Sequence, residues 1–436
     1  MAMDKYNFPK DFIIGSATAA YQIEGSRENL DSCIWDDYAK IPGKVHNFED
    51  GLVACDSYNR VDEDIELIKK LKLKAYRFSI CLTRVINNKG EVLQEGIIYY
   101  KNLIRKLKEN NILSFVTLYH WDLPSYLQEK GGWESKETID WFLNYCEVIF
   151  NAFKDEVDYY ITINEPFCVS HLGYGYGCHA PGLTSEKSMI KVSLNLLKTH
   201  GLVVNLFKKL RYKAKIGIAL NISDFRVHNE GAKKIINLFK NKGVWWYFYP
   251  IATGKFAYDA FNYYKEKGYI DDISELDYKL MTTMGDFIGL NHYNPDFIDE
   301  NENYQRHEEY PINDLGWHVD GKSIYNVIKE MSKYTDADIY ILENGYGSHN
   351  LDNVNVEIHD AERLNYYKEY LLQVNKLIDE GYKVKGYFAW SLLDNYEWAY
   401  GYSIRFGIVH VDYKTQKRTI KDSGYFIKQL CEKTYK

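Results

Sequence analysis

Cysteine pairs, basic charge and long apolar runs are what this chain lacks. Its seven cysteines (Cys33, Cys55, Cys81, Cys146, Cys168, Cys178, Cys431) are odd in number and scattered, with no C-x-x-C pair. Neither a disulfide framework nor a zinc site is expected, and reduced thiols in the cytoplasm are the default. Lys and Arg total 54 against 61 Asp and Glu, a net charge of −7, which excludes the clustered basic footprint of a nucleic-acid binder. No apolar run approaches the ~20 residues of a membrane span. The N-terminus shows no basic region followed by an apolar stretch, so no secretory signal is expected. Proline numbers only 8, and no Pro/Ser-rich linker interrupts the chain, which favours one domain over residues 1–436.

What the chain has is length and aromatic rings. At 436 residues it can be two or three average domains or one large barrel. Aromatic content is 16%, including 40 Tyr and 9 Trp; much of this is packing, Trp245 and Trp246 in particular, although ring faces also stack on sugars. Eight short β-rich runs recur along the chain: 12–20, 75–80, 113–119, 159–164, 215–222, 286–293, 338–344 and 384–393. Helical patterns with apolar residues at i, i+3, i+4 and i+7 lie between them, for example 61–71 and 99–107. Alternating β and α units with near-continuously apolar strands predict a parallel sheet covered by helices. Eight units point to a single-domain α/β fold, a (β/α)8 TIM barrel with long βα loops; an open doubly wound sheet with a second domain is the rival. Residues 294–322, rich in Asn, Glu and Asp, read as a long irregular loop at the active-site rim.

A barrel places its chemistry at the C-terminal ends of its strands. Those ends carry Gln22, Arg77, His120-Trp121-Asp122, Asn164-Glu165-Pro166, Asn291-His292-Tyr293, Glu343-Asn344-Gly345, Trp390 and Asn395-Tyr396-Glu397-Trp398. Glu165 and Glu343 each end an apolar run, 178 residues apart. If a closed barrel brings them together, one can protonate a leaving oxygen while the other attacks or supports an oxocarbenium-like carbon. The bland alternative is that each caps a following helix. His120 has no second His at i+3 or i+4, so no metal is expected there. Cys168 and Cys178 read as buried or bystander thiols, and His179, His292 and His318 as satisfied polar groups. Arg77 can equally be a structural ion-pair partner.

Taken in order, Phe12 to Gly25, Tyr76-Arg77-Phe78-Ser79, His120-Trp121-Asp122-Leu123-Pro124, Asn164-Glu165-Pro166, His179 to Gly182, Gly289-Leu290-Asn291, Glu343-Asn344-Gly345 and Trp390 to Trp398 resemble glycoside hydrolase family 1, the retaining β-glucosidases, over essentially the whole length. The resemblance implies Glu165 as general acid/base and Glu343 as nucleophile, with the carboxyls ~5 to 5.5 Å apart and retention through two displacements. Ionised Glu343 should raise the pKa of Glu165. The resemblance also implies that Asn164 bonds the sugar 2-hydroxyl and that Arg77 and Tyr293 orient Glu343. Gln22, His120 and Glu397 would bind hydroxyls, Trp390 would be the ring platform and Trp398 an indole donor. Trp121, Asn291 and Phe406 complete the sugar-binding set, and Trp317 stands at the aglycone entrance. The implied substrate is a β-glucoside or cello-oligosaccharide cut at its terminal non-reducing glucosyl residue, with β-galactosidase or β-fucosidase side activity and no cofactor.

Cys81-Leu82, Phe167 and His292 depart from the family pattern, and His292 is a titratable group near the pocket. Phospho-sugar members of the family place a small residue where Glu397 stands and Lys and Tyr where Ile404 and Phe406 stand. A carboxylate would repel a phosphate dianion, which disfavours a 6-phospho-β-glucosidase and leaves Arg405 the one nearby charge without a role. A non-catalytic sugar-binding barrel is the third reading, opposed by the presence of both carboxylates. Homo-oligomerisation is left open.

Overall fold

All eight apolar runs form strands, and the strands close on themselves. The structure, a computed structural model, describes residues 3–349 and 357–436. The barrel strands are β1 (Ile13–Ala17), β2 (Ala75–Ser79), β3 (Leu113–Thr117), β4 (Tyr159–Asn164), β5 (Lys215–Asn221), β6 (Phe287–Asn291), β7 (Ile339–Asn344) and β8 (Val384–Trp390). They pair in parallel all the way round, with β8 returning to β1 through Ala17 opposite Trp390. The open-sheet rival is thereby excluded. Helices occupy every interval, including Val61–Lys70, Gln94–Glu109, Lys136–Phe153, Glu186–Leu210, Lys322–Met331 and Ala361–Asp379. Gln94–Glu109 buries Ile97, Tyr100, Leu103, Ile104 and Leu107, the helical stripe that the sequence pattern begins to show at Tyr99.

Rings fill the barrel floor. Phe115 stacks on Tyr159 with centroids 4.0 Å apart and meets Phe388 edge-on at 4.7 Å, while Tyr340 packs on Phe287 at 5.2 Å. Five strands contribute to this plug, so large side chains must alternate with small ones around the taper. Gly217 shows why: a Cβ there would lie 2.5 Å from the Phe287 carbonyl oxygen and 2.7 Å from its ring. The high aromatic content is thus largely architectural, and Trp245 and Trp246 are buried in packing as expected.

Two sequence expectations need correction. Segment 294–322 is not wholly irregular: Pro295–Ile298 pairs with Tyr304–Gln305 and with Asp224–Val227 in a three-stranded sheet beside the barrel. Short strands interrupted by polar residues carry too weak an alternation to be read from sequence. Arg405 does have a role. Its Nη1 donates to Asp394 Oδ2 at 2.9 Å, and Lys421 Nζ donates to Oδ1 at 2.7 Å, all three groups being buried. Asp394 also accepts from Gly407 N, tying down the segment after β8 that carries Glu397 and Trp398. Opposing charges hold its pKa down to about 2 despite burial.

Replacing Asp394 by Ala strands two buried cations, a loss of about 3 to 5 kcal/mol in comparable pairs. Chemical denaturation of Asp394→Ala is expected to show this loss; an unchanged midpoint would refute the anchoring role.

Candidate active site

A cavity of about 870 Å3 opens at the C-terminal ends of the strands. Its lining includes Glu165, Glu343, Asn291, Tyr293, His120, Trp121, Trp317, Trp390, Glu397, Trp398 and Phe406. Three further expected site residues, Gln22, Arg77 and Asn164, are buried in the layer directly behind these.

Local backbone features aim the two acids. β4 slips register against β5 between Ile161 and Asn164, and β7 slips against β6 between Ile341 and Glu343. Such irregularities re-aim side chains at barrel rims. Glu165 also has φ of +47°, and Trp121 and Trp398 have φ of +76° and +50°. Left-handed backbone in bulky residues costs free energy and collects at functional sites. Gly345, just after Glu343, lets the chain pass so near Trp390 that a Cβ would sit 1.9 Å from its carbonyl oxygen.

Arg77 ties the site together. Its Nε donates to Thr117 Oγ1 at 3.1 Å, Nη1 to Glu343 Oε1 at 2.6 Å and to the Leu342 carbonyl at 3.2 Å, and Nη2 to Asn164 Oδ1 at 2.6 Å. One guanidinium from β2 thus bonds β3, β4 and β7. Tyr293 OH donates to the other Glu343 oxygen at 2.6 Å. Asn291 Nδ2, on β6, donates to Glu165 Oε1 at 2.7 Å and to Asn164 Oδ1 at 3.0 Å, and its side chain stands beside Glu343 as well. The two acids therefore flank one amide.

Their environments differ. Burial, and then the charge of Glu343, push the Glu165 carboxyl up to about 7. Burial also raises Glu343, but Arg77, Tyr293 and Asn291 all oppose it by favouring the carboxylate. Glu343 is the acid built to be ionised, Glu165 the one built to keep its proton near neutrality. Glu397, half-buried and near both, is pushed up to about 8 by desolvation and by the charges of Glu343 and Glu165.

Asn164 fixes its neighbour's tautomer. Because its Oδ1 accepts from both Arg77 and Asn291, its Nδ2 faces His120 Nε2, at 3.0 Å. Nε2 must accept, so the proton sits on Nδ1. Burial and the Arg77 charge hold the His120 pKa well below its usual value, keeping the ring neutral. Among the described residues, His120 Nδ1, Gln22 Oε1 and Asn291 Oδ1 are buried without a protein partner. Each such atom costs about 1 to 3 kcal/mol if left unmet, so the site is shaped for a ligand rich in hydroxyls. Aromatic faces complete it: Trp398 packs against Trp121 at 4.6 Å and Trp35 at 4.7 Å, and Trp390 lies near-parallel to His120 at 6.0 Å. Among the described residues no group of His, Cys, Asp and Glu could hold a metal ion, and no helix is long and apolar enough to cross a membrane.

Several residues outside the expected set also meet the site or lie just behind it. Cys168 is buried, as one of its two readings has it, and it is also engaged: its Sγ donates to Glu165 Oε2 at 3.0 Å. Cys178 and His179 line the cavity, and His179 packs on Trp121. His292 lies behind the cavity, bonded to the Ile222 carbonyl and Ser323 Oγ, and burial lowers its pKa to about 4, so it is structural. His318 accepts from the His307 amide, as a satisfied group, yet also touches the cavity. Asn221, Asp296, Tyr304 and Arg306 also line it. Asn221 ends β5 and follows the same rule of polar groups at strand ends; the others sit in the short three-stranded sheet or its turn and give no such signal.

Sequence and structure comparisons agree with one another. The sequence model of glycosyl hydrolase family 1 matches residues 4–435. A protein named beta-glucosidase A from Acetivibrio thermocellus is 41% identical over 99% of each chain. The solved beta-glucosidase of Thermotoga maritima in complex with deoxynojirimycin superposes with a TM-score of 0.93 at 39% identity, over 99% of each chain. The GH1 beta-glucosidase of Exiguobacterium antarcticum B7 superposes with a TM-score of 0.95 at 35% identity, over 98% of this chain and 99% of that one.

A carboxyl whose pKa is raised on folding penalises the folded state as pH climbs past its unfolded value, and the penalty is complete above the folded one. Glu165→Gln is therefore expected to stabilise the protein at pH 8 by about 1 to 3 kcal/mol and far less at pH 4. Urea unfolding at both pH values checks this; equal shifts at the two would contradict it.

Proposed function

The chain belongs to glycosyl hydrolase family 1, and on that premise we propose that it is a β-glucosidase removing terminal non-reducing β-D-glucosyl residues from β-glucosides and cello-oligosaccharides by double displacement. The observation that carries this is the pairing of unlike carboxyls about Asn291: Glu343 held by Arg77 and Tyr293 as an anion, Glu165 raised to about 7.

In the first displacement a Glu343 oxygen attacks the anomeric carbon as its bond to the leaving oxygen breaks, and the Glu165 proton passes to that oxygen. The product is a glucosyl ester of Glu343 that carries no charge. With that charge gone, the larger electrostatic cause raising Glu165 disappears while Arg77 remains, so Glu165 is a competent base. It then takes a proton from water, whose oxygen attacks the anomeric carbon and returns Glu343 as carboxylate. Retention follows from the two inversions.

The remaining groups bind the sugar. Gln22 Oε1 and His120 Nδ1 offer an unmet acceptor and an unmet donor, and Glu397 accepts from or donates to adjacent hydroxyls. Trp390 supplies an apolar face and Trp398 an indole N–H, with Trp121 packed behind. Asn164, already bonded to Arg77, Asn291 and His120, meets a 2-hydroxyl only through its second Nδ2 hydrogen. Trp317 and Phe406, near Tyr293, stand on the aglycone side. Few contacts would separate glucose from galactose or fucose, so side activity on those glycosides is part of the proposal. Among the described residues a phosphate at the 6-position finds no free cation beside Glu397, since Arg405 is bonded to Asp394.

Glu343→Ala is expected to abolish turnover of every β-glucoside and to be partly rescued by azide with inversion. Glu165→Ala should still release an activated phenol while losing unactivated disaccharides, because a good leaving group needs little protonation. The same aryl glucoside bearing a 6-phosphate should react about a hundredfold more slowly or worse. Normal disaccharide turnover in both variants, or a preference for the phosphorylated glucoside, would overturn the reading.

A further inference from the structure

Glu165 has two carboxyl oxygens with unlike partners. Oε1 accepts from the Asn291 amide at 2.7 Å, and Oε2 accepts from Cys168 Sγ at 3.0 Å. An amide N–H can only donate, so Oε1 is held as an acceptor whether or not the acid carries its proton. A thiol differs, since it donates weakly through S–H and accepts weakly through sulfur. It suits an oxygen that gains and loses a proton during turnover.

Cys168 reaches that oxygen because it stands three residues beyond Glu165, at the start of the π-helical segment Cys168–Gly175, a spacing that returns a side chain to the same face. Asn221 Nδ2 points at its sulfur from 3.6 Å, which fills one lone pair, directs S–H toward Glu165 and leaves the second lone pair open. Burial keeps the thiol pKa well above its usual value, so the group remains a thiol and not a thiolate.

We propose that Cys168, steadied by Asn221, is a positioning residue that reserves Oε2 of Glu165 as the proton-carrying oxygen. The thiol donates to Oε2 when Glu165 is the base. When Glu165 is the acid, sulfur is the acceptor that holds the Oε2 proton until the leaving oxygen takes it. No bond to sulfur forms or breaks in either step. The inference rests on Glu165 as acid/base, as proposed above. A stronger donor at position 168 would favour the carboxylate, and a non-donor would favour the acid, so this one side chain trims the pH at which Glu165 gives up its proton, against the larger effects of burial and Glu343.

The pH dependence of kcat/KM for cellobiose tests this in Cys168→Ala, Cys168→Ser and Asn221→Ala. Activity falls at high pH as Glu165 loses its proton. Cys168→Ala removes a donor, so its basic limb is expected to move to higher pH, with kcat on cellobiose down roughly three- to tenfold, the range of one modest hydrogen bond. An activated aryl glucoside should lose less. Cys168→Ser keeps a donor of greater strength, and its limb should move the opposite way. Asn221→Ala should follow Cys168→Ala by a smaller amount. Superimposable basic limbs in all three, or losses equal for both leaving groups, would overturn the inference. If Cys168→Ala does not fold, the direction of the Ser shift decides alone: an upward shift contradicts it. Glu165→Gln, assayed on the aryl glucoside, separates the two levels. A basic limb that survives there removes Glu165 as acid/base, whereas a limb that vanishes there yet ignores position 168 removes only the role of Cys168.

Discussion

Everything at the mouth of this barrel depends on one buried guanidinium. Arg77 enters from β2 and bonds Thr117, Asn164, Glu343 and the Leu342 carbonyl, so four strands meet on a planar fork of fixed geometry. Through Asn164 it reaches His120 and sets that ring's tautomer; through Glu343 it decides which acid is ionised. A buried cation is costly unless paired, and here each of its three nitrogens donates to a group belonging to the site. Lysine could not replace it, since a single ammonium cannot hold two acceptors in one plane.

The charge arithmetic follows from that. Three carboxyl groups, Glu165, Glu343 and Glu397, line one cavity, and Arg77 bonds Glu343 alone among them. One positive charge supports one carboxylate. The other two keep their protons to about pH 7 and 8, by burial and by repulsion from Glu343. An acid beside a nucleophile thus needs no special donor of its own, because crowding around a single cation separates the two roles. Esterifying Glu343 would hand the influence of Arg77 to Glu165, which is the change of state a two-step displacement requires.

Much of this was legible in the residues themselves, for physical reasons. A strand buried on both sides must be apolar, so a polar residue at its end or within it is conspicuous; Glu165, Glu343 and Asn291 were visible at strand ends and Arg77 inside β2. Eight units pointed to closure, but an open sheet stayed the rival until the last strand pairs with the first. What stayed hidden depends on contacts between segments distant in sequence. Asp394 was read only as part of a motif, although its meaning lies in Arg405 and Lys421. The contact of Cys168 with Glu165 is hidden because a single thiol carries no periodic or motif signal, and only the return of the chain after Pro166 brings it onto the acid. The small sheet formed by 224–227, 295–298 and 304–305 has strands too short to show alternation, yet it walls the outer cavity.

The division of labour between the two acids is most directly tested by trapping. A 2-deoxy-2-fluoro β-glucoside with an activated leaving group slows the second displacement, and peptide mass spectrometry locates the sugar it leaves behind. The expected result is one glycosyl label per chain, on Glu343, with loss of activity that returns as the ester hydrolyses. A label on Glu165 or Glu397, or full turnover with no covalent species, would contradict the assignment.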